Sequence, residues 1–270
     1  MNPRNVMPYT KPFTETALTS TAGLLRLGRI PYLNSEPFFA FLSESAAQCV
    51  DLVPRDLGMA AGRGEIDAGL MAVADWFRLD KSFRPLGPWG IAVPRKALSV
   101  FLLTKQPLKE LNRGVISVTD ESSTSFALAR ILLRQKYGLR VSYRRGAYKG
   151  ALGRLVIGDE ALRIAAAPPK GWELVDLGEE WFEWTGLPFV FAHWVVRVTV
   201  PEKTVVLLSG LMETALHRGM AGLSEIAERR SNDLGLTQEQ ALQYLQNFVY
   251  ELGPQEEIAL GVFRKLCSEL

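Results

Sequence analysis

The chain has 270 residues, of which 47% are hydrophobic and 22% charged, and its 31 basic and 29 acidic residues leave a formal net charge of +2. That length is ample for a buried core and suggests one large domain or two of ordinary size. The near-balance of charge argues against nucleic acid or a membrane surface as partner, since those roles ordinarily need a clustered excess of Lys and Arg. The nearest approach to a basic patch is Arg140, Arg144, Arg145 and Lys149, with Tyr143 and Tyr148 between them, and it reads as a solvated loop or helix face. Cys49 and Cys267 stand far apart without a Cys-x-x-Cys neighbour, so they support neither a disulfide framework nor a zinc site and read as core residues. Met1 to Thr21 is polar, contains Pro3, Pro8 and Pro12, and holds no apolar run of the roughly 7–15 residues a secretory signal needs. A flexible extension over residues 1–23 and a cytoplasmic protein are therefore expected.

In chain order, Leu25 to Ile30 reads as a strand, followed by the turn Pro31-Tyr32-Leu33-Asn34-Ser35 and a helix with Pro37 near its first turn. Cys49 to Val53 is predicted as a strand, Asp56 to Arg63 as a helix, and Ile66 to Met71 as a third strand leading into Ala72 to Phe77. Strands alternating with helices of this length imply parallel βαβ units. Ala97 to Thr104 is a strongly apolar strand. Val115 to Val118 is the next, and Ser122 to Tyr137 forms a helix with Leu128, Ile131, Leu132 and Gln135 on one stripe. Leu155 to Ile157 is a buried strand with Gly158-Asp159-Glu160 opening a helix, and Phe189 to Val198 is a long apolar strand. From Pro201 onward the pattern is helical. Thr237 to Gln240 has capping-box spacing ahead of a face with Leu242, Leu245 and Phe248, and Ile258, Val262, Phe263 and Leu266 mark the last stripe.

Ser99 to Thr104 and Phe189 to Val198 flank a self-contained α/β unit, which predicts two lobes joined by two crossings. Residues 24–104 with 193–270 are expected as lobe 1, and 105–192 as lobe 2. A ligand site is expected in the cleft between them, at the carboxyl ends of parallel strands.

Nucleotide-binding Gly-rich loops, the His-Glu-x-x-His metal motif and the Gly-x-Ser-x-Gly elbow are all absent from the sequence. His193 lies inside an apolar strand and reads as a core or cleft-wall residue, while His217 falls near a helix end. The informative stretches are polar turns. Thr119 to Ser125 opens a helix, whose unpaired N–H groups suit a carboxylate, and Ser122, Ser123 and Thr124 could add donors. Equally, one of them could simply cap the helix. Asn34 could turn its amide to the same cleft or serve only its turn. The aromatic run from Trp181 to Phe189 reads as packing in preference to a pocket wall. From these residues the reading is a two-lobed α/β protein with an inter-lobe site for a small anion.

Four segments in order carry a resemblance. They are Gly28 to Ser35, Gly64 to Ala68, Thr119 to Ser125, and Asp176 to Trp181 continuing through Phe191-Ala192. The string Trp-Thr-Gly-Leu-Pro-Phe-Val-Phe-Ala over 184–192 is the most specific. Together, from about Leu25 to the C-terminus, they resemble the chorismate dehydratase family of the futalosine route to menaquinone. The resemblance implies a fold like type II periplasmic binding proteins, with two crossover strands and C-terminal helices. It also implies a lyase that converts chorismate to 3-[(1-carboxyvinyl)oxy]benzoate with loss of water, using no metal or organic cofactor. The expected site is Asn34 at the reacting end, with Ser99, Ser122, Ser123, Thr124 and Asp159 binding substrate. Ser99 is included because it starts the first crossing strand, and Asp159 because it opens a helix, where it could equally be an N-cap. No strong side-chain base is evident, so the substrate's enolpyruvyl carboxylate is expected to serve. Met71-Ala72-Val73 stands where a Ser-containing turn is expected, and His193 where an aliphatic residue is. The alternatives are the 1,4-dihydroxy-6-naphthoate synthase of the same pathway and a non-catalytic small-anion binding protein. A prephenate dehydratase is disfavoured because its Thr-Arg-Phe signature is missing.

Overall fold

The computed structural model describes residues 18–20, 23–42 and 47–270. Of the extension expected over 1–23, residues 1–17, 21 and 22 lie outside that description, and Thr19–Ser20 (β1) pairs antiparallel with Gly23–Leu24 (β2). The chain continues through β3 (Arg26–Arg29), a 3₁₀ turn over Leu33–Ser35, α1 (Glu36–Phe39), β4 (Gln48–Asp51), α2 (Pro54–Gly62), β5 (Ala68–Ala72) and α3 (Val73–Arg78). Next come β6 (Phe83–Val93), β7 (Val100–Thr104), β8 (Val115–Val118) and α4 (Thr124–Ile131), which a π turn extends over Leu132–Lys136. They are followed by β9 (Ser142–Arg145), β10 (Gly153–Ile157), α5 (Gly158–Ala166), β11 (Glu173–Asp176), α6 (Leu177–Thr185) and β12 (Phe189–Arg197). The last elements are α7 (Glu202–Ala221), α8 (Leu223–Leu234), α9 (Gln238–Gln246), β13 (Val249–Glu251) and α10 (Pro254–Ser268).

These strands build a six-stranded sheet in the order β13-β6-β12-β5-β3-β4 and a five-stranded sheet in the order β11-β7-β10-β8-β9. Each is parallel on one side, around β3 in the first and β8 in the second, and antiparallel on the other. The expected parallel βαβ units are thus present, but only in one half of each sheet. Sheet membership also corrects two boundaries. Val100–Thr104 hydrogen-bonds within the five-stranded sheet and the whole of Phe189–Arg197 within the six-stranded one, so the crossings fall at residues 94–99 and 186–188. Hydrogen bonding assigns a strand to its sheet, and apolar character alone does not.

The predicted faces are buried in part. Leu128 and Ile131 of α4 and Leu132 of the π turn after it are fully buried, and Thr237 closes a capping box with Gln240 ahead of α9. The fully buried Trp194 of β12 meets Phe38 and Phe39 of α1, and each such large side chain contributes about 1.5–3 kcal/mol by leaving water. Phe263 of α10 packs against Phe77, Trp181 and Phe189, which lie on α3, α6 and β12. The aromatic run before β12 is accordingly core: the Trp181 indole donates to the Pro188 carbonyl at 3.0 Å, and Gly186 takes a positive φ of 70° to end α6.

Four features differ from expectation. The basic stretch at 140–149 contains an edge strand, β9, where charged side chains are at home on the rim of a sheet. Strand β6 and the short strands β11 and β13 went unrecognised, because β6 interrupts its apolar pattern with Pro85, Gly87 and Pro88. Cys49 is exposed on β4, not in the core, since that strand sits at the sheet edge. Ile258 of α10 is 53% exposed, and the buried face runs through Ala259, Leu260 and Phe263.

Candidate functional site

Five parallel strands point their carboxyl ends at one cavity. Ile30, Tyr32 and Asn34 follow β3, Pro54 follows β4, Ala72 ends β5, Ser122 to Ser125 follow β8, and Ile157 and Gly158 join β10 to α5. Ser99 and Val100 at the start of β7, Ile91, Phe191, Ala192 and Phe248 complete the lining. Five of the six sequence-predicted residues, Asn34, Ser99, Ser122, Ser123 and Thr124, therefore meet in one place, from both sheets.

Each polar group is held by its local fold. Asn34 sits in the 3₁₀ turn that the Ser35 hydroxyl pins by bonding the Ile30 and Tyr32 carbonyls. Its amide makes no hydrogen bond among the described residues, so it is available to a ligand. Ser122 Oγ accepts the Phe126 N–H at 3.0 Å, taking the capping task, while Ser123 occupies the N-cap without a side-chain bond. Thr124 Oγ1 accepts the Ala74 N–H at 3.2 Å, which ties α4 of one unit to α3 of the other. Ser99 Oγ lies 2.8 Å from the Tyr244 hydroxyl. Tyr32 donates its hydroxyl proton to Glu121, and burial followed by that carboxylate pushes its phenol well above the usual range. Gly158 has a φ of 60°, and a Cβ there would fall 2.7 Å from the Tyr32 ring, so both backbone and space call for glycine.

Asp159 does not line the cavity, contrary to expectation. Its Oδ1 accepts the Leu33 N–H at 3.0 Å and its Oδ2 accepts from Arg230 at 3.0 Å, and Arg230 also pairs with Glu36. Burial raises its carboxyl pKa in spite of these partners. The side chain that opens α5 turns back to secure the residue beside Asn34, because a half-buried carboxylate needs donors and Leu33 and Arg230 provide them.

Among the described residues no group of three or more His, Cys, Asp or Glu is placed to hold a metal. His193 is buried on β12, its Nδ1 2.9 Å from the Trp194 carbonyl and its ring 5.0 Å from Trp76; burial lowers its pKa. It is a core residue and stands outside the cavity lining.

Residues 25–269 match the model of a family described as menaquinone biosynthesis. The chain belongs to that family. Among its curated relatives, the chorismate dehydratase of Thermus thermophilus is 32% identical over 258 residues, covering 88% of this chain and 93% of that one. The chorismate dehydratase of Campylobacter jejuni is 26% identical, covering 90% and 97%. Of the solved structures, an Archaeoglobus fulgidus protein superposes with a TM-score of 0.75 at 16% identity, covering 91% of this chain and 97% of its own. The periplasmic aliphatic sulphonate-binding protein of Escherichia coli does so with 0.60 at 15% identity, covering 91% and 86%. The fold of this family member is thus the two-lobed α/β fold of periplasmic binding proteins.

Sequence reasoning missed several residues around the cavity. Ser125 and Phe191 lie inside segments that carried the resemblance. Ile91 and Phe248 had no local signal, because they arrive from β6 and from the connection before β13.

Proposed function

We propose that this chain is a chorismate dehydratase, a hydro-lyase that converts chorismate to 3-[(1-carboxyvinyl)oxy]benzoate and water in menaquinone biosynthesis by the futalosine route. The observation that carries the reading is the chemistry of the cavity in a chain whose relatives are chorismate dehydratases. Its lining offers an amide, hydroxyls and the N-terminal end of α4, and among the described residues it includes no carboxylate, imidazole or amine. Such a lining suits a dianion, because it presents hydrogen-bond donors and no negative charge.

The reaction breaks a ring C–H bond and the neighbouring C–OH bond, leaves the ring aromatic and releases water. Both the aromatic product and the fixed position of the two carboxylates favour it. Asn34, as the lining amide without a partner among the described residues, donates to the departing hydroxyl, and Ser99, Ser122, Ser123 and Thr124 hold carboxylates. Among the described residues Tyr32 is the one lining side chain that titrates, and its proton is committed to Glu121. The substrate's enolpyruvyl carboxylate therefore takes the ring proton, which passes out with the hydroxyl as water. No helix among the described residues is long and apolar enough to cross a membrane. The reading includes a cytoplasmic setting, where a biosynthetic intermediate meets its enzyme, and fractionation of cells tests that part.

Incubation of the purified protein with chorismate, followed by mass spectrometry, tests the reaction. The expected product is lighter by one water. Chorismate returned unchanged overturns the reading; unchanged chorismate that is nonetheless bound supports the solute-binding alternative.

A further inference from the structure

Ser99 is held by main-chain bonds on both sides. Asp176 at the head of α6 accepts the Ala97 N–H at 2.9 Å and the Leu98 N–H at 2.8 Å, besides capping its own helix through Gly178 and Glu179. Between these anchors Leu98 adopts a φ of 61°, a left-handed conformation that is unfavourable for a residue with a Cβ. On the other side the Ser99 carbonyl accepts the Gly158 N–H at 2.9 Å. The backbone around Ser99 is thus fixed on both sides, and what remains open is where its hydroxyl proton points.

Two neighbours bear on that direction. The Ala97 carbonyl lies 3.4 Å from Ser99 Oγ, too far for more than a weak bond, and the Tyr244 hydroxyl lies at 2.8 Å. Tyr244, on α9, is buried at 3% exposure, with Phe248 edge-on at 4.9 Å. Ser99 is the one hydrogen-bond partner of its hydroxyl among the described residues. Were Ser99 to donate, the phenol proton would be left unpaired in an apolar setting, which costs the full desolvation of that donor. Were Tyr244 to donate, both groups would be satisfied, since the Ser99 proton would still have the cavity. The second arrangement wins on that difference.

We propose that Tyr244 is a positioning residue: its hydroxyl donates to Ser99 Oγ, which turns the Ser99 proton into the cavity for a substrate carboxylate. Burial keeps the phenol protonated far above its ordinary range, so the donor persists across the working pH. The polarised Ser99 hydroxyl is also a better donor than an isolated one, because bonds in a chain reinforce each other. The inference rests on the functional reading above, in which Ser99 touches substrate.

Chorismate turnover by wild type, Tyr244→Phe, Ser99→Ala and the double variant tests it, with kcat, KM and the melting temperature read for each. Tyr244→Phe is expected to lower kcat/KM about tenfold, the scale of one neutral hydrogen bond, and to change nothing further in the Ser99→Ala background. An equal loss in both backgrounds would mean that Tyr244 acts through packing alone, and overturns the inference. So does a kcat/KM unchanged by Tyr244→Phe in an otherwise active enzyme. Full activity of Ser99→Ala removes Ser99 from the site and the inference with it, whereas a wild type inert towards chorismate overturns the functional reading itself.

Discussion

In the six-stranded unit, the central parallel strand β3 runs into a turn with two polar lining residues, Tyr32 and Asn34, of which Tyr32 commits its proton to Glu121 and the Asn34 amide alone has no partner among the described residues. In the five-stranded unit, the corresponding strand β8 runs into a turn with four hydroxyl-bearing residues, Ser122, Ser123, Thr124 and Ser125. The two turns also differ in what supports them. Asn34 is carried on a short 3₁₀ turn braced from outside by Asp159 and Arg230, whereas the hydroxyls open a regular helix that supplies backbone donors as well. On the proposed reading, one unit concentrates its chemistry in one group and the other spreads it. A group without a substitute gives large mutational effects, and a shared task gives small ones.

The largest effect is therefore expected at Asn34. Asn34→Ala is predicted to lower kcat by roughly 10²–10³-fold, the scale for one transition-state donor, with the melting temperature little changed. An unchanged rate would remove the amide from the reaction and break the contrast between the turns. Next comes Gly158, at the β10–α5 junction. Gly158→Ala must accept a φ of 60° and displace the Tyr32 ring, and a loss of about 2–3 kcal/mol is expected in urea unfolding. The equivalent junction of the other unit, Ala72–Val73, has no residue at positive φ and should tolerate Ala72→Ser with a change under about 1 kcal/mol.

Burial opposes ionisation of Asp67 in the six-stranded unit, but hydrogen bonds from the Arg26 side chain and N–H outweigh it and hold its carboxyl below the usual range. Its contribution is complete above about pH 4 and is lost as pH falls through the folded value. Asp67→Asn should cost about 1–2 kcal/mol at neutral pH, with the gap to wild type closing below about pH 4. Asp176 in the five-stranded unit runs the other way: burial raises its carboxyl in spite of four backbone N–H partners. Its ionisation above about pH 4 costs stability, because the native state holds that proton more firmly than the unfolded chain. Asp176→Asn should thus shrink the loss of stability that accompanies its ionisation. The smallest effect is expected for Ser123→Ala, tenfold or less in kcat/KM, since its neighbours share the work. A loss as large as that of Asn34→Ala would show that the hydroxyl turn, too, depends on one member.

Much of the molecule was legible in the chain itself. The strands at 26–29, 115–118 and 189–197 and the capping box at Thr237 follow from local signals that the tertiary structure does not override. Asn34 and the turn at 122–124 could be singled out because a polar turn after an apolar strand has few structural reasons to carry so many donors. Ser99 is singled out for a weaker reason, its place at a crossing, and the fold puts it in the cavity lining with a partner far away in sequence. Asp159 shows the limit. A carboxylate at the head of a helix looks the same in sequence whether it faces a ligand or, as here, reaches Leu33 and Arg230 across separations of 126 and 71 residues.

The sequence by itself determined the α/β character, the positions of the polar turns and the family, because periodicity, turn chemistry and motif order are properties of neighbouring residues. Only the tertiary structure decided which sheet owns β7 and β12, that five parallel strands end at one cavity, and that Tyr244 reaches Ser99 from 145 residues away. Those are matters of hydrogen-bond pairing and of packing between distant segments. Such contacts depend on how whole elements fill space together, and no local pattern encodes them.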